Sequence, residues 1–267
     1  GIDDTSNWTN NSSTTTLDDG FTNDNNTFEL FYNDANGGMD YFRSSIDDFR
    51  IYNKALTAQE ISDIYNDTEP LVGGSSSSTE TSGTIDTTNM LVWYKFDDAT
   101  NIGLDSSGNS NDGTNAGSSV STSEYKRGSG SLALTNTSYQ LPSIQFASET
   151  TISFWFQWDL TQTTEDYNKV IDLKTDTNGR FMLYRELNNN YLRFFISDEN
   201  NVSDNIELNT VNFSNNIWYL IVITINVVSG DISININNNS IHTGNYLNKI
   251  SNSFVYTNNY IGSKFDN

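Results

Sequence analysis

Two stretches constrain the fold of this chain more than anything else in it. "TISFWFQW" (151–158) alternates Ile152, Phe154, Phe156 and Trp158 with Ser153, Trp155 and Gln157. "IWYLIVITINV" (217–227) is apolar at almost every position, and "SGD" then turns the chain into "ISININ" (232–237), where Ile alternates with polar residues. Period-two alternation marks a strand with one face on a core and the other toward solvent. An unbroken apolar run of this length marks a central strand covered on both faces. The run is too short to cross a membrane, which takes ~18 or more apolar residues. From residue 90 onward such segments follow one another with turn residues between, the pattern of an antiparallel sandwich or jelly roll.

The chain before residue 90 reads differently. Residues 1–27 are polar and nearly free of core residues, as in a long loop or disordered segment. Strand patterns follow at 28–34 and 41–52. Thr57 and Glu60 form a T-x-x-E capping box that starts a short helix, and Ile61, Ile64 and Tyr65 share one of its faces. So short a helix is marginal alone and must dock on something. Residues 68–88 are rich in Gly, Ser and Thr and read as a flexible linker, able to span ~65 Å when extended.

The formal net charge is −21. That excludes the basic footprint of a nucleic-acid binder and disfavours an anionic membrane surface. There is no Cys, so disulfide and thiolate-metal chemistry are absent. The chain opens on Gly1, which leads to the expectation of a removed leader or of an excerpt from a longer protein. Nine Asn-X-Ser/Thr sequons occur, at Asn7, Asn10, Asn11, Asn25, Asn66, Asn136, Asn201, Asn212 and Asn238. Chance placement in a sequence this rich in Asn, Ser and Thr gives about nine, so the count is no sign of glycosylation.

Several motifs together resemble the laminin-G-like, concanavalin A-like jelly-roll superfamily. "LVWYKFDDATNIGLDSSGNSNDGTNAG" (91–117) resembles its opening strand and loop, and "TISFWFQW" is similar to its T-I-S-x-W strand. "NNIWYLIVITINVVSGDISININNNSI" (215–241) resembles its W-Y strand, turn and following strand. "SIDDFRIYNKALTAQEI" (45–61) resembles its closing strand and helix. The resemblance implies an all-β antiparallel sandwich with one short peripheral helix. In the family the opening motif precedes the closing one, and here the order is reversed. Residues 89–267 thus read as a sandwich lacking its last strand, and residues 28–67 as a last strand and helix lacking their sandwich.

Three arrangements fit that reversal. Residues 28–67 fold back on 89–267 in a circular permutation, the chain is one period of a tandem array, or the segment completes a neighbour's sandwich. The last would make copies of the chain its partners and give an open filament. An unfilled gap would expose an apolar trough and an unpaired edge. The residues that would fill it are Phe42, Ile46, Phe49, Ile51, Ile61, Ile64 and Tyr65.

Catalytic signals are weak. The single His, His242, sits beside an Asn-rich turn and reads as a surface residue, and no strand places a run of carboxylates on one face. Calcium, which takes about six to eight oxygens, is the cofactor these residues fit best. "DSSGNSNDG" (105–113) offers Asp105, Asn109, Asn111 and Asp112. The resemblance pairs the opening loop with the closing-strand aspartate, which here means Asp105 with Asp47, and Asp97 is a further ligand candidate. The plainer alternative has Asp47 or Asp48 pairing with Arg50 while Asp105 caps its own turn. For stacking on a sugar ring the candidates are Trp93, Tyr125 and Trp8, against burial under a second layer.

These features describe a non-catalytic extracellular or virion-surface module for adhesion or structure, assembling by strand completion. A carbohydrate-binding, lectin-like domain is the alternative, and a glycoside hydrolase a remote one. Neither nucleic acid nor membrane insertion enters any of these readings.

Overall fold

The computed structural model describes residues 43–67, 71–72, 84–85, 87–135, 137–159, 167–186, 189–251 and 253–264. The chain divides into two units, Gly1–Met39 and Asp40–Asn267, and the described residues lie in the second. The loop expected over 1–27, the strand at 28–34, and Asn7, Trp8, Phe42 and Asn136 fall outside the described residues.

The described elements run as follows. Strand β1 (Arg43–Tyr52) is followed by helix α1 (Ala58–Asn66), and the short strands β2 (Leu71–Val72) and β3 (Thr84–Ile85) pair with each other within the stretch expected as a linker. Next come β4 (Met90–Tyr94), β5 (Thr114–Ala116), β6 (Ser119–Ser121), β7 (Ser131–Thr135), β8 (Ser138–Leu141) and β9 (Ile144–Gln145). The long strands β10 (Glu149–Trp158), β11 (Tyr167–Lys174), β12 (Arg180–Glu186), β13 (Leu192–Ser197) and β14 (Ser203–Leu208) follow. The last are β15 (Trp218–Asn226), β16 (Asp231–Ile236), β17 (Asn239–Asn245), β18 (Val255–Tyr256) and β19 (Asn258–Lys264). One sheet has the order β17-β16-β15-β10-β1-β7-β6, with β4 also pairing β1, and the other β14-β13-β12-β11-β19-β8-β5. All the strand pairs within these two sheets are antiparallel. The protein is an antiparallel β-sandwich of jelly-roll type with one short helix among the described residues.

Strand β1 closes this sandwich from within the same chain. It pairs with β10 along one edge, and along the other with β7 through residues 43–46 and with β4 through residues 49–52. Ile46, Phe49 and Ile51 are 0–1% exposed and belong to the core between the sheets. Their spacing is three, then two, which a regular strand cannot aim at one side. A bulge between Asp47 and Arg50 absorbs the extra residue, with Asp48 at φ 52. The gap expected to recruit a neighbour is therefore filled. The neighbour-supplied strand and the filament lose their physical motive, because the apolar trough and the free edge no longer exist.

The opposite face of the same sheet has its own apolar layer, and α1 covers it. Thr57 caps the helix and Glu60 returns the bond, completing the capping box. Leu56 before the cap and Ile61 in the first turn share one cluster, as in a hydrophobic staple. Ile61 and Ile64 pack on Tyr52, Met90, Trp93, Trp155, Leu220 and Val222. β15 is thus apolar on both sides for two reasons. Ile221, Ile223 and Ile225 face the core, while Leu220 and Val222 lie under α1. No helix of the described residues is long and apolar enough to cross a membrane.

Because β1 occupies its own sheet, light scattering across a dilution series is expected to return the monomer mass throughout. Mass that climbs with concentration would restore the neighbour-supplied strand.

Candidate functional site: the outer face of the first sheet

The bulge in β1 turns two carboxylates onto the helix-bearing face of the sheet. Asp48 Oδ1 accepts from Arg50 Nε (2.9 Å) and Trp93 Nε1 (2.7 Å), and its other oxygen lies 2.8 Å from Arg50 Nη2. Arg127 approaches the same carboxylate at 3.5 Å, reaches Asp67 at 3.0 Å and donates to the Ile64 carbonyl at the end of α1. A cation there complements the helix dipole. The pairing of Asp48 with Arg50 is one of the plainer readings the sequence allowed.

Asp47 is fully buried. Its Oδ2 accepts from the backbone N–H groups of Lys126 and Arg127, each at 2.7 Å, while its Oδ1 has no hydrogen-bond partner. Burial pushes its carboxyl up to about 7 despite those two amides, and the neighbouring Asp48 charge adds to the rise. Asp97 grips the same segment a little further on, accepting from the amides of Ser129 and Gly130. A Cβ on Gly128 would come within 2.2 Å of an Asp97 oxygen, and its φ is 64°, so only glycine fits there.

Asp105 is spent inside its own loop. Oδ1 accepts from Trp93 N and Ser107 N, and Oδ2 from Ser107 Oγ and Asn111 N, at 2.7–3.0 Å. This is the turn-capping role. Asp47 and Asp97 meet on the 126–130 segment, whereas Asp105 has no oxygen left over to join them. Among the described residues no group of three or more His, Asp or Glu side chains is placed to hold a metal ion.

Beside this segment lies a polar groove of about 370 Å³. Its floor follows a row of directly paired residues across the sheet, Trp218–Gln157–Ser45–Ala133–Ser119. Gln157, Ser45 and Ala133 line it, with Arg43, Glu124, Asp159, Asn215 and Asn216 around them. Gln157 Nε2 donates to the Asn216 carbonyl (3.0 Å). Ser44 also lines the groove, is 6% exposed, and its Oγ has no hydrogen-bond partner. A second groove of about 450 Å³ opens at the far end of the same face, with Ala55, Glu149 and Asp231 on its walls.

The aromatic candidates separate clearly. Trp93 does face away from the core, but it is 8% exposed, and the cations of Arg50 and Lys95 lie 5.0 and 4.2 Å from its ring centre. It is a packing residue under α1, which corrects its candidacy for sugar stacking. Tyr125 is 44% exposed and is next in the chain to Glu124, which lines the groove, though Tyr125 itself is not among the lining residues. Half-buried Trp218, beside Gln157, was not among the candidates; its place in an apolar run concealed it. Tyr65, expected to be buried at an assembly seam, is 37% exposed and stacks on Trp155 at 5.8 Å. His242 is half-buried, with Nε2 bonded to the Tyr246 hydroxyl (2.8 Å) rather than to serine or a carboxylate, and burial lowers its pKa. Asn66, Asn201, Asn212 and Asn238 are all exposed.

Comparison with known proteins gives one family match over part of the chain. The model described as the concanavalin A-like lectin/glucanases superfamily matches residues 9–62. The resemblance read from the closing motif is borne out. The match takes in α1 up to Ser62 and the whole of β1, and reaches back to residue 9, beyond the described residues. No curated protein matches the chain. Among solved structures the chain is similar to the binding domain of botulinum neurotoxin serotype D, at 13% identity and a TM-score of 0.43, covering 61% of this chain and 41% of that one. It is similar to the binding domain of Paraclostridial Mosquitocidal Protein 1, at 16% identity and 0.45, covering 61% and 46%. It is also similar to an endo-β-1,4-glucuronan lyase from the fungus Trichoderma reesei, at 14% and 0.41, covering 58% and 76%. The chain spans under half the length of the two binding domains.

The state of Asp47 sets a pH dependence with a definite sign. A carboxyl held near 7 in the fold and near 3.8 when free costs nothing below the lower value. The cost grows as pH rises between the two and is complete above about 7. In cation-free buffer the wild-type urea midpoint should therefore fall relative to Asp47→Asn as pH rises through that window. Parallel curves for the two proteins would count against a strained carboxylate.

Proposed function

We propose that the protein is a non-catalytic, surface-exposed binding module that takes a neutral glycan in the groove beside Glu124. The observation that carries this reading is the groove itself. Its amide, hydroxyl and carboxylate groups converge on a depression at the lower end of the ~300–1,000 Å³ range of small-ligand sites. The match of residues 9–62 to a superfamily of lectins and glucanases supports a carbohydrate as the ligand class. Arg43 stands against Glu124 and Asp159 in a chain of net charge −21, which favours hydroxyl-rich neutral sugars over polyanions. Tyr125, exposed and next in the chain to the groove-lining Glu124, and Trp218, paired with Gln157, are the aromatic candidates for stacking on a ring.

Glycan-array screening followed by calorimetry tests this. Gln157→Ala and Glu124→Ala should each weaken the best ligand by about tenfold, the loss of roughly one well-made hydrogen-bonding group. Undiminished binding in both variants would move the site elsewhere. Glu124 and Asp159 on one groove also favour the remote hydrolytic reading, since glycosidases flank the scissile bond with two carboxylates. New reducing ends released from the ligand by wild type but not by Glu124→Gln would decide for hydrolysis.

Calcium at Asp47 belongs to the same proposal. A hard cation takes oxygen ligands, and Asp47 Oδ1 is a buried carboxylate oxygen with nothing else to bind. Asp97, which holds the amides of Ser129 and Gly130 in the same segment, is the supporting carboxylate in this arrangement. Adding calcium at pH 8 should raise the melting temperature of wild type and leave that of Asp47→Asn in place. Equal shifts in both would put the cation elsewhere.

A further inference from the structure

We propose that Asp47 is a positioning residue for the groove: by holding the backbone at Lys126 and Arg127 it sets where Glu124 and Tyr125 stand, and so governs glycan affinity without touching the glycan. The inference rests on the glycan reading of the groove and adds its control.

Glu124 and Tyr125 are the two residues before a segment whose amides at 126, 127, 129 and 130 are held by carboxylates. Asp47 Oδ2 takes the amides of Lys126 and Arg127 at 2.7 Å each, and Asp97 takes those of Ser129 and Gly130. Gly128 between them lies against the Asp97 carboxylate, with no room for a side chain. From the other side, the buried Ser131 Oγ donates to the Glu124 carbonyl. The side chains add two more ties. Lys126 Nζ sits 4.4 Å above the Trp155 ring, and Arg127 reaches Asp48, Asp67 and the end of α1. Trp155 is the direct partner of Asp47 across the β1–β10 ladder, so the sheet position that anchors the segment also carries the ring on which it rests.

The side chain of Glu124 lines the groove, while its own backbone touches none of the groove floor residues Ser45, Gln157 or Ala133 through any bond described above. Its backbone is tied locally, the amide donating to Ser121 Oγ (3.2 Å) and the carbonyl accepting from Ser131 Oγ, and Asp47 fixes the segment that continues from it. Asp47 is the anchor from the sheet interior, and its second oxygen has no hydrogen-bond partner. Whatever engages that oxygen acts on the carboxylate that holds Lys126 and Arg127, and hence on the groove wall. Cation occupancy at Asp47 is thereby coupled to glycan affinity.

The test uses the full chain as wild type, Asp47→Asn, Asp47→Ala and Ile223→Val, the last a control that loosens the core far from the segment. Affinity for the best array glycan is measured by calorimetry, and amide exchange at residues 126 and 127 by mass spectrometry. Asn keeps one acceptor oxygen and Ala keeps none. Affinity should fall in the order Asp, Asn, Ala, by about threefold and then about tenfold or more, as the one oxygen that takes both amides first loses its charge and is then removed. Exchange at 126–127 should quicken in the same order. Ile223→Val should lower the melting temperature and leave both readouts alone, which separates positioning from general stability. If Asp47→Ala does not fold, the Asn variant carries the test.

Faster exchange at 126–127 with affinity equal to wild type overturns this proposal alone. Unchanged exchange in Asp47→Asn, with affinity also unchanged, does the same. A wild-type chain that binds no glycan overturns the groove reading and this proposal with it.

Discussion

Strand β1 is hydrogen-bonded along both edges, and the sandwich depends on that placement. It joins β10 on one side to β7 and β4 on the other, so without it the first sheet would fall into three parts, with raw edges on β10, β7 and β4. Its inward residues meet the core and its outward ones meet α1, so a single strand ties together both apolar layers. The cost of inserting it is one residue too many for the pleat, which the bulge at Asp47–Asp48 accommodates. A bulge re-aims the side chains on either side of it. Here it presents one carboxylate to Arg50, Trp93 and Arg127 and another to the amides of the 126–127 segment. The irregularity that lets the strand fit therefore also builds the polar anchor of the outer face.

The architecture was legible in the sequence wherever one element's pattern sufficed. Alternation at 151–158 and 232–237, the doubly apolar run at 217–227 and the capping box at Thr57 all describe local periodicities, and each appears where expected. The reversed order of motifs was visible too, but not its resolution. Whether β1 enters its own sandwich or a neighbour's depends on chain closure between distant segments, and no local pattern carries that. The bulge could have been read from the spacing of Ile46, Phe49 and Ile51, since three apolar residues spaced three and then two can share a face only if the strand is irregular.

The site was far less legible, for a physical reason. Its lining comes from residues 43–45, 121 and 124, 133–135, 157 and 159, and 215–216, five segments that approach only through the sheet. No spacing within any of them announces a groove. The metal candidates show the same limit. Asp105 carries an attractive ligand-rich loop, yet Ser107 and Asn111 within that loop consume its oxygens. Either Asp47 or Asp48 could have paired with Arg50, and adjacency in sequence does not say which; the bulge gives that role to Asp48. Alternation correctly turned Trp93 away from the core, but the helix that covers it lies some thirty positions earlier in the chain.

What remains open on the outer face follows from two lengths. α1 has nine residues and so spans ~13 Å, whereas the nine residues of β15 beneath it extend ~30 Å. A helix that short shields the middle of the sheet, where Leu220, Val222 and Trp155 lie, and leaves both ends of the face uncovered. At one end the uncovered row is Trp218–Gln157–Ser45–Ala133–Ser119, large at one margin and small along the middle, which makes a depression rather than a flat surface. At the other end Thr224, Ser233 and Thr243 give a second polar hollow. Apolar residues in these rows would have called for a longer helix or a partner surface. Their polarity instead leaves two wet recesses flanking a rigid centre. The recess nearer Glu124 is distinguished by the segment that follows Glu124, whose amides at Lys126 and Arg127 are held by a buried carboxylate.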